Sequence, residues 1–228
     1  MAVSPINIKK HNSKTKIHNK GVVIFMSINL QKGQKINLTK GGTGLRSVMV
    51  GLGWDEARQG GLRGFFGGGN KTIDCDASVI LCGADGRIVD PNNINNTLIY
   101  FGNLRHSSGA IVHMGDNLTG SGDGDDEQIM VDLQRIPSNI ERIVFVVNIY
   151  DAMTKGQHFG MINNAFIRLV DNDTRSEICR YNLTENYSGM TGLVVGEIYR
   201  RNGEWKFNAI GQAIQEASRL QNLVDLYR

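Results

Sequence analysis

The residues best suited to chemistry crowd into one stretch, Gly115–Glu127 (GDNLTGSGDGDDE). It holds Asp116, Asp123, Asp125, Asp126 and Glu127, with Asn117 and Thr119 adding neutral oxygens. Two carboxylates about 4 Å apart repel by roughly 4 kcal/mol at the effective dielectric of a protein surface. A loop this acidic therefore needs full solvation or a cation. The donors are all oxygen, with His113 the one nitrogen ligand nearby, so the matching cation is hard, and calcium suits many converging ligands better than magnesium. Glycines at 115, 120, 122 and 124 let the chain turn tightly enough for carbonyls to face an ion as well.

The loop fits neither of two familiar calcium patterns. Asp116–Glu127 has the length of an EF-hand loop with acids at both ends, but Leu118, Gly120 and Ser121 stand where that loop needs two ligands and its glycine. The glycine–aspartate nonapeptide of calcium β-helices requires repetition, and the stretch occurs once. A second carboxylate arm is available in IDCDASVILC (Ile73–Cys82), a strand pattern that puts Asp74 and Asp76 on one face and Cys75, Ala77, Val79 and Leu81 on the other. Such a pair is costly to bury without a counter-charge. Asp55 and Asp151, each at the end of an apolar strand, are weaker metal candidates.

Catalytic patterns are missing. The chain has no GxSxG, P-loop or HExxH string, and His106, His113 and His158 are not at ligand spacing with another His or Cys. The expectation is a non-enzymatic protein. Cys75, Cys82 and Cys179 form an odd, unpaired set, which indicates neither a disulfide framework nor a zinc site. They leave a thiol-based redox function as the alternative to a cation site. A further alternative is a calcium-independent assembly module whose acidic loop only solvates the surface.

The net charge of +3 is misleading, because residues 1–25 carry five lysines and no acid and leave −2 for the rest. That rest offers no basic face for nucleic acid. Residues 1–25 read as a disordered basic arm, and a folded domain is expected over 26–228. No apolar run is long enough to cross a membrane, and Gly21–Phe25 is too short for a signal-peptide core, so the expected compartment is the cytoplasm.

From Ser27 onward the chain alternates apolar and polar residues in short runs separated by turn residues. Ile143–Tyr150 is apolar on both faces and predicts a central buried strand. Asn202-Gly203 predicts a hairpin turn. Only the C-terminus changes period, with Ile210, Ala213, Ile214, Ala217, Leu220, Leu223, Val224 and Tyr227 on one helical face. The prediction is an all-β protein, a β-sandwich of roughly ten short strands with a C-terminal amphipathic helix.

Six segments then carry a family likeness: VGLGWD (Val50–Asp55), DCDAS (Asp74–Ser78), the acidic stretch itself, VNIYDA (Val147–Ala152), FGMINNAFIRLV (Phe159–Val170) and GEIYRRNGEWKFNAIGQ (Gly196–Gln212). In this order they resemble the TerD-type tellurium-resistance and stress-response proteins. The resemblance implies a cytoplasmic calcium-binding β-sandwich, in which Asp74, Asp76 and the acids of the 115–127 loop jointly hold calcium. These seven carboxylates exceed the charge of a single divalent cation, so more than one ion is expected. It implies as partners other stress or tellurium-resistance proteins, in a complex that could sit at the membrane. The basic arm and Gly61–Lys71 (GLRGFFGGGNK) depart from the family's usual pattern.

Overall fold

A computed structural model describes residues 27–39, 44–56, 73–115, 124–217 and 219–228. The N-terminal arm, residues 57–72 and residues 116–123 of the acidic loop lie outside them. In chain order the strands are β1 (Ile28–Leu30), β2 (Lys35–Asn37), β3 (Ser47–Glu56), β4 (Cys75–Cys82), β5 (Leu98–Ile99), β6 (Ile111–His113), β7 (Glu127–Asp132) and β8 (Arg142–Ile149). After a helical turn, α1 (Ala152–Lys155), come β9 (Ile162–Asp171), β10 (Glu177–Asn182), β11 (Gly192–Arg201), β12 (Glu204–Ile214) and a short helix, α2 (Leu220–Val224).

They form two six-stranded sheets, ordered β1-β10-β9-β3-β7-β6 and β2-β12-β11-β8-β4-β5. Strand alternation explains how the sheets pack. Val48, Val50 and Leu52 of β3, with Ile129 and Val131 of β7, are buried against Val79, Leu81, Phe145 and Val147 of the facing sheet. β8 lies between β11 and β4 as its apolar sequence predicts, and its outward Val144 and Val146 are covered by Ala217, Leu223 and Val224. The predicted hairpin turn is present, with Asn202 and Gly203 both in the left-handed region (φ 56° and 73°).

The helix expected from Ile210 is shorter than its apolar period suggested. Residues 210–214 continue β12, held by register pairs such as Ala213↔Leu193 and Ile214↔Gly192. Gly211 (φ 62°) and a register shift between Val194 and Gly196 break the alternation. Ile210 and Ile214 thereby still reach the apolar cluster under α2, so a bulged strand mimics a helical period.

Candidate metal centre

β4 delivers the first pair of acids. Its inner residues Cys75, Ala77, Val79 and Leu81 enter the core, while Ile80 and Cys82 join the outer cluster, so Asp76 and Ser78 face outward. Asp76 is nonetheless only 6% exposed. Opposite it in register on β8 is Asn148, also buried, whose Oδ1 has no hydrogen-bond partner; the same holds for Ser78 Oγ. An orphaned buried acceptor beside a buried carboxylate leaves a desolvation cost that neither group relieves for the other. Just before β4, the Asp74 carbonyl accepts from the Tyr150 N–H at 2.8 Å, which brings Asp74 beside the turn that carries Asp151. Asp151 itself is exposed, adopts φ 55°, and makes no side-chain cap on α1.

Glu127 meets β4 from the other sheet. β5 pairs only with Val79 and Ile80, so among the described residues no strand lies beside the edge of β4 at Ala77. Side chains take the strand's place. The Ala77 N–H donates to Glu127 Oε2 at 2.9 Å, and His113 Nε2 lies 3.1 Å from the same oxygen and 3.2 Å from the Ala77 carbonyl. His113 Nδ1 accepts from the Gly115 N–H at 3.2 Å, so the network assigns the proton to Nε2. Both side chains are 1% exposed, and together they fasten the sheets at this edge.

Asp125 and Asp126 cross the outer face of β3. That face carries Gly51 and Gly53 instead of side chains. A Cβ on Gly51 would strike the Asp125 carboxyl group, and one on Gly53 would strike the Phe166 ring. Asp125, with its side chain fully buried, lies in this gap and takes Arg168 in a bidentate grip (Nε–Oδ1 2.7 Å, Nη2–Oδ2 2.9 Å). Arg168 also reaches Glu177 at 3.2 Å. Asp126 turns the other way: its N–H donates to the Leu52 carbonyl at 2.8 Å, and its Oδ2 accepts from the Trp54 N–H at 2.7 Å.

The electrostatics report which acids converge. Burial first, then the fields of Asp76, Glu127, Asp74 and Asp126, push the Cys75 thiol well above its ordinary range. The fields of four of the predicted acids thus reach the Cys75 thiol. Asp126 is itself raised, by burial and then by Asp55 and Asp125, against the lowering effect of the Trp54 N–H. Asp55 is exposed and held by Asn164 Nδ2 at 2.7 Å. Asp125 does not join the group, because both of its oxygens lie on Arg168. Asp116, Asn117 and Asp123 lie outside the described residues. Among the described residues, no three His, Cys, Asp or Glu side chains form a group able to hold a metal ion.

The donor chemistry fits a hard cation: carboxylates, a buried orphaned amide oxygen at Asn148, and cysteine thiols that burial keeps protonated. Sequence reasoning missed Arg168, Asn148 and the bridging role of His113. Of these only the loop anchor had a signal, since two glycines two residues apart in a strand mark close approach by another group.

Comparisons with known proteins identify the family. The sequence profile described as the TerD domain matches residues 26–227. The stress response protein SCP2 of Bacillus subtilis (strain 168) is 52% identical over 206 residues, covering 89% of this chain and all of that protein. The tellurium resistance protein TerD of Serratia marcescens is 42% identical and covers 82% of this chain and 91% of its own. A crystal structure of SAV2460, a protein of unknown function, has the same fold at a TM-score of 0.60 and 22% identity, covering 78% of this chain and 97% of its own. The chain belongs to the TerD domain family of tellurium-resistance and stress-response proteins.

Proposed function

We propose that this is a non-enzymatic, calcium-binding stress-response protein, in which the bound ions organise the acidic loop into a surface for other proteins of the same response. The observation that carries the reading is the buried Asp76 of β4, set opposite the buried Asn148, whose Oδ1 has no hydrogen-bond partner. Asp74, Asp76 and Asp126 would hold an ion with Asn148 Oδ1. The loop's Asp116, Asn117 and Asp123 would complete the ligands, and Asp55 and Asp151 lie at the margin. Calcium, when bound, would supply positive charge to these acids. Glu127 fixes the end of the loop through Ala77 and His113, and Asp125 anchors it to Arg168. A partner that recognises only the ordered loop then becomes calcium-dependent by linkage. No helix among the described residues is long and apolar enough to cross a membrane.

The thiol alternative is disfavoured. All three cysteines are buried, and burial pushes Cys82 and Cys179 up to about 12, which suppresses the reactive thiolate. The test is the melting temperature of chelator-treated protein with and without calcium, in the wild type and in Asp76→Asn. The reading expects a rise in the wild type that Asp76→Asn largely removes. An equal rise in both proteins would exclude Asp76 as a ligand, and no rise in either would remove calcium from the account.

A further inference from the structure

A cleft over the same outer face of β3, bordered by Gly124 of the acidic loop, is built in layers. Gly53 contributes only backbone, and the Phe166 ring lies over it in the space a Cβ would fill. The Arg180 guanidinium stacks on that ring, its central carbon 3.5 Å from the ring centroid. Arg180 Nε donates to Asn182 Oδ1 at 2.9 Å, which fixes the plane of the group. The result is a flat, cationic plate forming part of the lining of a cleft of about 780 Å³. Asn163, Asn164 and Asn182 bring side-chain amides to the lining, and Asp55 and Glu185 bring carboxylates. Asn164 Nδ2 donates to Asp55 Oδ2 at 2.7 Å, which orients that carboxylate. Trp54, also in the lining, is 5% exposed, and its indole N–H has no hydrogen-bond partner.

We propose that this cleft binds a nucleoside. Its volume is in the range of small-ligand pockets. A guanidinium held flat on an aromatic ring is a stacking platform for a planar heterocycle. Side-chain amides carry a donor and an acceptor side by side, which matches the hydrogen-bonding edge of a base. The Asp55 carboxylate accepts from the paired hydroxyls of a sugar and disfavours phosphate beside it, while Glu185 is taken up by Lys32 at 2.8 Å, so the ligand is a nucleoside and not a nucleotide or a nucleic-acid strand. A simple sugar would leave the plate unused. The inference does not depend on calcium.

The test is NMR or calorimetric titration of the full chain with adenosine, guanosine, cytidine and uridine, with ribose and adenosine 5′-monophosphate as controls. The expected result is that at least one nucleoside perturbs the signals of Asn163–Phe166 and of the Trp54 indole. Ribose and the monophosphate should bind more weakly. Arg180→Ala should weaken the nucleoside by about tenfold or more, as loss of a stacked base contact does. Arg180→Lys, which keeps the charge and loses the plane, should do the same. Binding unchanged in Arg180→Lys, ribose binding as well as the nucleoside, or no nucleoside bound at millimolar concentration would each overturn the proposal. The melting temperatures of both variants establish that the fold is intact.

Discussion

Gly51→Ala tests how the acidic loop is anchored, because the added methyl group lands on the Asp125 carboxyl group. Gly51 has no positive φ, so backbone strain does not enter. The methyl group must displace Asp125 from the gap over β3 and open its two bonds to Arg168, at 2.7 and 2.9 Å. The Asp125 side chain is fully buried and that of Arg168 is 27% exposed, so the pair behaves as a mainly buried one. Breaking a buried pair is destabilising by about 3–5 kcal/mol, and partial exposure of the arginine puts this case near the lower figure, about 3 kcal/mol. For a chain of this size each kcal/mol moves the melting temperature by about 2–4 °C, so the variant should melt about 6–12 °C lower. Urea or thermal unfolding monitored by circular dichroism measures this. The control is Asp125→Ala, which empties the space the methyl group needs. Gly51→Ala introduced into Asp125→Ala should be nearly neutral, a coupling expected of residues in direct contact. An equal loss in both backgrounds would refute the anchoring mechanism.

Three further outcomes follow from the same geometry. Glu127→Ala leaves the Ala77 N–H and His113 without their shared carboxylate at a buried edge; it should lower stability by about 3–5 kcal/mol in urea unfolding. Asp126 has a folded-state pKa raised above 3.8, so the folded protein binds more protons and loses stability as pH rises from the unfolded value through the folded one. Asp126→Asn, which keeps an acceptor for the Trp54 N–H, should therefore raise the melting temperature of calcium-free protein at neutral pH and diminish the gain on adding calcium. The three buried thiols should resist a thiol-specific disulfide reagent at neutral pH and react once the protein is denatured; fast native-state labelling would revive the thiol alternative.

Much of this was legible in the sequence. Alternation places Cys75 and Asp76 on opposite faces of β4, and the doubly apolar Ile143–Ile149 run could only be central, as it is. The C-terminal helix is present but begins later than its apolar period suggests, because a strand with a bulge at Gly211 and a helix can share an apolar period over five residues. The candidate site was legible as a set of acids but not as an arrangement. Sequence spacing treats Asp125, Asp126 and Glu127 alike, whereas the fold sends them to Arg168, to the Trp54 N–H and to Ala77 with His113. Those partners lie between 14 and 72 residues away, a range that no local pattern encodes. Asn148 was invisible for the same reason: only the β4–β8 register sets it opposite Asp76.

The most direct test of the central claim is a calorimetric titration of chelator-stripped protein with calcium and, separately, with magnesium. The account predicts saturable calcium binding with little response to magnesium, since many converging oxygen ligands suit the larger ion. An affinity of about 10⁻⁷–10⁻⁵ M would mark a site that responds to signalling, and a tighter one a site that stays filled. Absence of calcium heat, together with an unchanged melting temperature, would contradict the account and leave the acids as a solvated surface.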